Sequence, residues 1–228
     1  RYAAGLVIGA DGVFSTVRRS LPGAVHPRLN FCLEADIPLP EEVIEKNHPH
    51  LLVHYAFAGG GYAWIFPRRG SLSAGMGVWK RRDERLPGLF RNFLEQNGLP
   101  ANVRIRGSFV PGFRTGTPLA HGRVILAGDA VGCADSLSGE GIRYAVLSGR
   151  AAAHAAVEAL GSGDFSPRLI RSYQERCMEK FGRDLELSAR ITDLLKGKPR
   201  LILGTLARNQ DTLLEYLQTA AGTRNLGE

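Results

Sequence analysis

The residues best placed to do chemistry lie in "VILAGDAVGCADSLSGEGIRYAVLSG", Val124–Gly149. An apolar run stops at Gly128-Asp129, a loop of small residues follows, and Gly139-Glu140-Gly141 opens a long helical pattern beginning at Ile142. A carboxylate at the C-terminal end of a parallel strand sits where open α/β sheets bind ligands, and it can accept hydrogen bonds from sugar hydroxyls. Glycines let a backbone approach a flat or charged group closely. The first N–H groups of a helix are unpaired and partly positive, which suits a diphosphate or another anionic edge.

FAD is one ligand that needs both features some distance apart. Taken alone, these residues still leave plain packing ahead, because Gly-Asp pairs are common and a glycine-rich helix start also permits close contact. A metal cluster of Asp129, Asp135 and Glu140 is disfavoured: no histidine joins them, and the loop between is apolar and small.

The elements that must position these groups follow from texture. "LVIGADG" reads as a buried strand ending in a glycine turn, and "FSTVRRSL" as a short helix. Between Pro27 and Pro118 the pattern alternates and turns aromatic, with strands at "RLNFCLEADIPL", "LLVHYAFA", "GYAWIFP", "SLSAGMGVW" and "VRIRGSFVPG". Leu89–Asn97 reads as a helix ended by Gly98. "RVILAG" is again a buried strand, and Gly141–Leu160 a helix with Ile142, Ala145, Val146, Gly149, Ala152, Ala153, Ala156, Val157 and Leu160 on its apolar face. Ser166-Pro167 starts another helix, in which Leu169, Tyr173, Cys177, Phe181 and Leu185 recur every four residues. Asp211 is a candidate cap of a last helix, and the "LILGTLA" run is expected to pack internally.

This order predicts an α/β chain: residues 1–27 and 119–162 as parts of one α/β domain, residues 28–118 as a β-rich insertion, and residues 163–228 as a helical tail. Within the insertion, Tyr62, Trp64 and Phe66 share one face of a strand that Pro67 is expected to end. They make either an aromatic wall with two polar handles or the core-facing side of the sheet. Arg68-Arg69 then stand at its mouth, to meet an anionic head group or to decorate a turn.

A second motif shifts the balance. "GADGVFSTVR", Gly9–Arg18, ends a strand in Ala-Asp-Gly and places a Ser and an Arg beyond it. With Gly128-Asp129 it resembles the paired DG and GD motifs of FAD-dependent monooxygenases and reductases of the p-hydroxybenzoate hydroxylase fold. "GEGIRYAVLSG" is similar to the G-E-G-I-x-x-A-x-x-S-G of the geranylgeranyl reductase family, and "YAWIFP" to its Y-x-W-x-F-P. Hydroxylases of this fold more often carry His after Gly-Asp-Ala; Val131 stands here.

The resemblance implies the downstream part of a Rossmann-like FAD-binding domain. Asp129 would bind the FAD ribose; Gly128, Gly139, Glu140, Gly141 and Ile142 would stand at the flavin end, with Gly141 and Ile142 offering backbone contacts. Asp11 and Gly12 would lie near the diphosphate, while Arg18 braces the turn. Tyr62, Trp64, Phe66 and Pro67 would line the place where a prenyl chain is bound, with Tyr62 the local candidate for a proton donor. The implied activity is saturation of prenyl carbon–carbon double bonds by hydride from reduced FAD, with NADPH or another donor as reductant. An aromatic monooxygenase or halogenase and a quinone-linked electron-transfer flavoprotein are the alternatives. Asp135-Ser136 replaces the Asn-Pro common in the family, which predicts a looser loop. No G-x-G-x-x-G occurs, although the family places one ahead of the DG motif, so the chain is expected to be part of a longer protein.

Composition sets the outer limits. The net charge of +7 over 228 residues fits a basic surface, an anionic cofactor or an acidic membrane better than nucleic acid, since no nucleic-acid motif accompanies it. No apolar run approaches the roughly 20 residues of a membrane span. A prenyl lipid or prenyl diphosphate substrate would imply a cytoplasmic protein with peripheral membrane contact. The three cysteines, Cys32, Cys133 and Cys177, are widely spaced without a C-x-x-C, which predicts buried free thiols and no metal site.

Overall fold

The computed structural model describes residues 3–55, 61–79 and 83–197 and positions 204, 208, 209 and 211. The end of "LLVHYAFA", the side chain of Leu169, most of "LILGTLA" and the helix that Asp211 would cap lie outside them. The chain divides into two compact units. The first comprises Arg1–Arg28, Val110–Asp193 and Leu206–Glu228; the second, Leu29–Phe109 and Leu194–Thr205.

In the first unit, strand β1 (Val7–Gly9) pairs in parallel with β8 (Val124–Leu126), and β7 (Ala120–His121) pairs antiparallel on the far side of β8. Helix α1 (Thr16–Arg19) follows β1; α4 (Ile142–Ser162), α5 (Pro167–Cys177) and α6 (Arg183–Gly197) follow β8. Ser166 caps α5 by accepting from the Arg168 amide, and Pro167 occupies the first turn, where its missing N–H costs nothing. Tyr173 donates its hydroxyl proton to Leu126 O at 2.6 Å, tying α5 to β8.

The four-residue repeat holds: Tyr173, Cys177, Phe181 and Leu185 are all buried in one core. A spacing of four overshoots the about 3.6-residue turn of an α-helix. A π-helical turn, Met178–Gly182, joins α5 to α6 and takes up the excess.

The apolar face expected of α4 is corrected. The buried residues are Tyr144, Ser148, Ala151, Ala152, Ala155 and Ala159, while Ile142, Val146, Val157 and Leu160 are exposed. Small side chains let the helix lie close to the strand ends; a Cβ on Gly128 would stand 3.3 Å from that of Ala145. Ser148 is buried despite its hydroxyl because it accepts from Gly128 N.

The second unit is built on a five-stranded antiparallel-rich sheet in the order β3-β4-β5-β2-β6, with β2 Arg28–Pro38, β3 Leu52–Tyr55, β4 Tyr62–Arg68, β5 Ser71–Val78 and β6 Arg106–Gly112. Its core joins Leu33, Ala35, Ile37, Ala63, Ile65, Leu72, Ala74 and Met76 to Leu86, Phe90, Phe93 and Leu94 of α3 (Leu86–Gln96) and Ile44 of α2 (Glu41–Asn47). Helix α3 starts earlier than expected, with Pro87 in its first turn.

Pro67 does not end β4, which runs on to Arg68. It pairs with Leu72 of β5 at a point past the end of β3, whose last partner in β4 is Ile65, so its missing N–H faces an open edge. The three thiols are free; Cys133 and Cys177 are buried, and Cys32 is only half-buried. Burial and the Glu34 charge push the Cys32 pKa up to about 11.

Candidate functional site

The parallel pairing of β1 with β8 sets two turns side by side at the C-terminal ends of the strands. Gly9 allows the packing: a Cβ there would lie 2.8 Å from Val17 and 2.9 Å from Leu126. The Ala127 amide donates to Gly9 O at 2.9 Å, joining the turn after β8 to the end of β1.

Asp11 closes the first turn. Its Oδ1 accepts from Ser15 Oγ at 2.5 Å, and its Oδ2 from the amides of Thr16 at 2.7 Å and Val17 at 3.2 Å. Burial works to raise its pKa, but the hydrogen bonds from Ser15, Val17 and Thr16 outweigh it and hold the carboxyl below its ordinary range. Every hydrogen bond of this carboxylate serves the start of α1. Gly12 adopts φ +78, with open space where a side chain would stand.

Asp129 closes the second turn, a 3₁₀ turn over Gly128–Ala130 in which Gly128 takes φ +59. Its carboxylate has no hydrogen-bond partner among the described residues, and burial raises its pKa. The turn beneath it is firmly held. The Gly128 amide donates to Ser148 Oγ at 2.9 Å, and Ser148 donates to Tyr144 O at 2.7 Å, anchoring the turn on α4. A half-buried carboxylate held by its backbone and left without donors fits a ligand that brings hydroxyls.

The glycine segment converges on the same carboxylate. A Cβ on Gly141 would lie 3.7 Å from Asp129 Oδ1 and 3.6 Å from the Ala134 Cβ, so a bare backbone faces Asp129. Gly139 holds φ +76 and donates to Asp135 O at 2.9 Å. Glu140 faces its own helix: its Oε1 accepts from the Arg143 amide at 2.7 Å and so caps α4. Ile142, the first residue of α4, is 82% exposed.

The looser loop expected at Asp135-Ser136 is not found. Asp135 Oδ1 accepts from Leu137 N at 2.9 Å, Ser138 N at 2.7 Å and Ser138 Oγ at 2.9 Å, while the Asp135 amide donates to Glu140 O at 2.7 Å. This Asx turn supplies the stiffness that proline would otherwise give.

In the second unit the aromatic row of β4 lies on the face opposite the buried core. Tyr62, Trp64 and Phe66 are half-buried, with ring centroids 5.6 and 6.3 Å apart, and Tyr55 of β3 adds a ring 5.9 Å from Tyr62. Beside them on β5, in register, stand Gly77, Gly75 and Ser73. A Cβ on Gly75 would lie 2.0 Å from the Trp64 indole, so the ring sits directly against the bare backbone at Gly75. Gly75 and Gly77 escaped the sequence reading, although their spacing of two in "GMG" is in phase with the aromatic row. Arg68 is held by Asp36 at 3.0 Å and Glu34 at 3.6 Å, and Arg106 also pairs with Asp36. Among the described residues no group of His, Cys, Asp and Glu could hold a metal ion, and no helix is long and apolar enough to cross a membrane.

The carboxyl ends of parallel strands are where open α/β sheets bind ligands, and a bare carboxylate beside a glycine helix start fits a nucleotide cofactor there. The sequence model of the FAD binding domain matches residues 1–185, and the chain belongs to that family. It is 29% identical over 222 residues to digeranylgeranylglycerophospholipid reductase 2 of Methanopyrus kandleri, covering 90% of this chain and 55% of that protein. It is 34% identical over 194 residues to digeranylgeranylglycerophospholipid reductase of Methanothrix thermoacetophila, covering 80% and 48%. A crystal structure of a geranylgeranyl bacteriochlorophyll reductase-like protein from Thermoplasma acidophilum superposes with a TM-score of 0.74 at 25% identity, over 85% of this chain and 51% of that one. The chain spans about half the length of the curated relatives it matches. These likenesses agree with the resemblance read from the motifs.

Proposed function

We propose that the chain serves an FAD-dependent reductase that saturates carbon–carbon double bonds of a geranylgeranyl or other prenyl chain. The observation that carries the substrate class is the row Tyr62, Trp64 and Phe66 laid beside Gly77 and Gly75. The Trp64 ring seated over Gly75, with Tyr62 and Phe66 on either side of it, makes an aromatic surface that offers an extended hydrocarbon a long apolar contact. The names of the relatives support the same class.

In this reading Asp129 accepts hydrogen bonds from the FAD ribose hydroxyls, and the backbone of Gly139, Gly141 and Ile142 approaches the flavin end. Gly128 and Ser148 hold Asp129 in place, and Glu140 fixes the start of α4. Asp11 acts through α1, with Gly12 offering open backbone near the diphosphate. FAD held by these residues would supply the hydride for saturating the double bond, with NADPH or another donor as its reductant and a proton completing the addition. Tyr62, Trp64, Phe66 and Pro67 hold the alkene and exclude water, and the Tyr62 hydroxyl is the local proton source. A prenyl lipid substrate brings the protein to a membrane surface by peripheral contact.

The test uses the full-length protein, reduced and kept free of oxygen, with geranylgeranyl lipid. Products heavier by two hydrogens per reduced bond are expected. Unchanged lipid under these conditions, with turnover only when oxygen is admitted, would overturn the proposal. Gly75→Ala should impair the same reaction by displacing the Trp64 ring, with a change in tryptophan fluorescence as the independent readout.

A further inference from the structure

The aromatic face of the second unit changes character along its length. The register of β4 with β5, and of β5 with β2, sets its residues in rows across three strands. Tyr62, Gly77 and Cys32 form an uncharged row. The next row is Trp64, Gly75 and Glu34, and the one after it Phe66, Ser73 and Asp36. Residues two apart on a strand share a face, so the column of rings on β4 ends in Arg68. The face is apolar at its Tyr62 end and gathers charge toward Arg68.

Those charges cancel. Arg68 Nη1 donates to Asp36 Oδ1 at 3.0 Å, and its Nη2 lies 3.6 Å from Glu34 Oε1. Arg106 of β6 donates to Asp36 Oδ2, and Ser73 Oγ donates to Glu34 Oε1 at 3.0 Å. Two guanidinium groups are thus matched by two carboxylates. The turn beyond β4 adds Arg69, with Glu41, whose Oε2 accepts from the Gly70 amide at 2.9 Å. The side chains of Arg68, Arg106, Glu34 and Asp36 are 40–58% exposed, so a ligand can reach them.

A diphosphate brings several negative charges. Here it would meet guanidinium groups already engaged, with two carboxylates beside them that repel it. A hydroxyl both donates and accepts, and this cluster offers it carboxylate lone pairs and guanidinium N–H groups side by side.

We propose that this face binds its substrate in one direction, the chain along the rings from Tyr62 to Phe66 and the head group at the Arg68–Asp36 end, and that it selects a hydroxyl-bearing head group over a diphosphate. The proposal rests on the aromatic row holding a prenyl chain, as read above.

The test uses the full-length protein, reduced and free of oxygen, with geranylgeraniol, a geranylgeranyl ether of glycerol and geranylgeranyl diphosphate. Reduction of none of them removes the prenyl reading and this inference with it. Where reduction occurs, the diphosphate should show the highest KM, and the lower KM of the other two tells a free alcohol from a glycerol ether. Asp36→Asn takes away one negative charge and should lower the KM of the diphosphate about two- to fivefold relative to that of the alcohol. Arg68→Gln takes away a positive charge and should raise it by a similar factor. A diphosphate KM at or below those of the hydroxyl substrates, or the same shift for all three substrates in both variants, would overturn the inference while leaving prenyl reduction in place.

Discussion

The turns after β1 and β8 carry mirrored letters, Ala10-Asp11-Gly12 and Gly128-Asp129-Ala130, at neighbouring strand ends. Their carboxylates nevertheless meet opposite fates. Asp11 is exposed yet saturated by Ser15 and two amides, and its pKa is lowered. Asp129 is half-buried yet without a donor, and its pKa is raised by burial. The first satisfies the chain; the second leaves a capacity for something outside it. Residue type and strand position are the same, so the difference comes from the segment downstream of each turn. After Asp11 the chain turns directly into a helix and commits the carboxylate to its start. After Asp129 it makes a 3₁₀ turn and a loop, and the next helix is capped by Glu140 instead.

Four changes probe that contrast. Asp129→Ala should have the largest effect, a loss of FAD affinity of roughly ten- to hundredfold per ribose hydrogen bond, read as FAD released from purified protein. Ser148→Ala leaves the buried Gly128 amide without its acceptor; a stability loss of about 1–3 kcal/mol by denaturant unfolding is expected. Asp11→Ala should cost about 0.5–2 kcal/mol by removing the acceptor of the Thr16 and Val17 amides and of Ser15, the cap of α1, with a smaller effect on FAD than Asp129→Ala. If it matched Asp129→Ala in FAD loss without loss of stability, the two turns would be equivalent in function.

The smallest effect concerns pH. The Asp129 pKa is raised above its ordinary 3.8, so folding bears a charge-burial cost at neutral pH that disappears below both values. Asp129→Asn should therefore raise apoprotein stability slightly near pH 7 and give no gain below pH 3.8. Asp11 works in the opposite sense: its contribution is present above 3.8 and is lost as pH falls through its lowered folded value. Unfolding curves of the two variants across this range should diverge at neutral pH and converge in acid.

Much of the fold and of the two turns was legible in the sequence because the signals were local. Ser166-Pro167 marks the start of α5, and strict alternation in "YAWIF" puts three rings on one face. The two Gly/Asp turns stand out at the ends of apolar runs. The features that escaped depend on partners distant in sequence. Hydrophobicity alone puts Ile142 and Val157 inside α4, whereas close approach to the strand ends selects alanine and a hydroxyl that answers Gly128. Helix α2 went unread because seven residues give too little periodicity. Arg68 looks free to meet a head group until the fold brings Asp36 and Glu34 beside it. The stiffness of the loop at Asp135 is invisible to a rule that equates rigidity with proline, since a side chain folding back on its own backbone has the same effect.

The π turn between α5 and α6 bears on length variation. A π turn holds one residue more than an α-helical turn over the same rise, so it is where a surplus residue can be stored without rotating the helix beyond it. Removing one exposed residue from Met178–Gly182, such as Lys180, would return the segment to α-helix while Leu185 and Ser188 kept their orientation. A single-codon deletion elsewhere in α5 or α6 would turn the downstream face by about 100° and bring polar residues inward. Loss of one residue along this helical run is therefore absorbed at this turn, and a chain one residue shorter there can keep the same buried face.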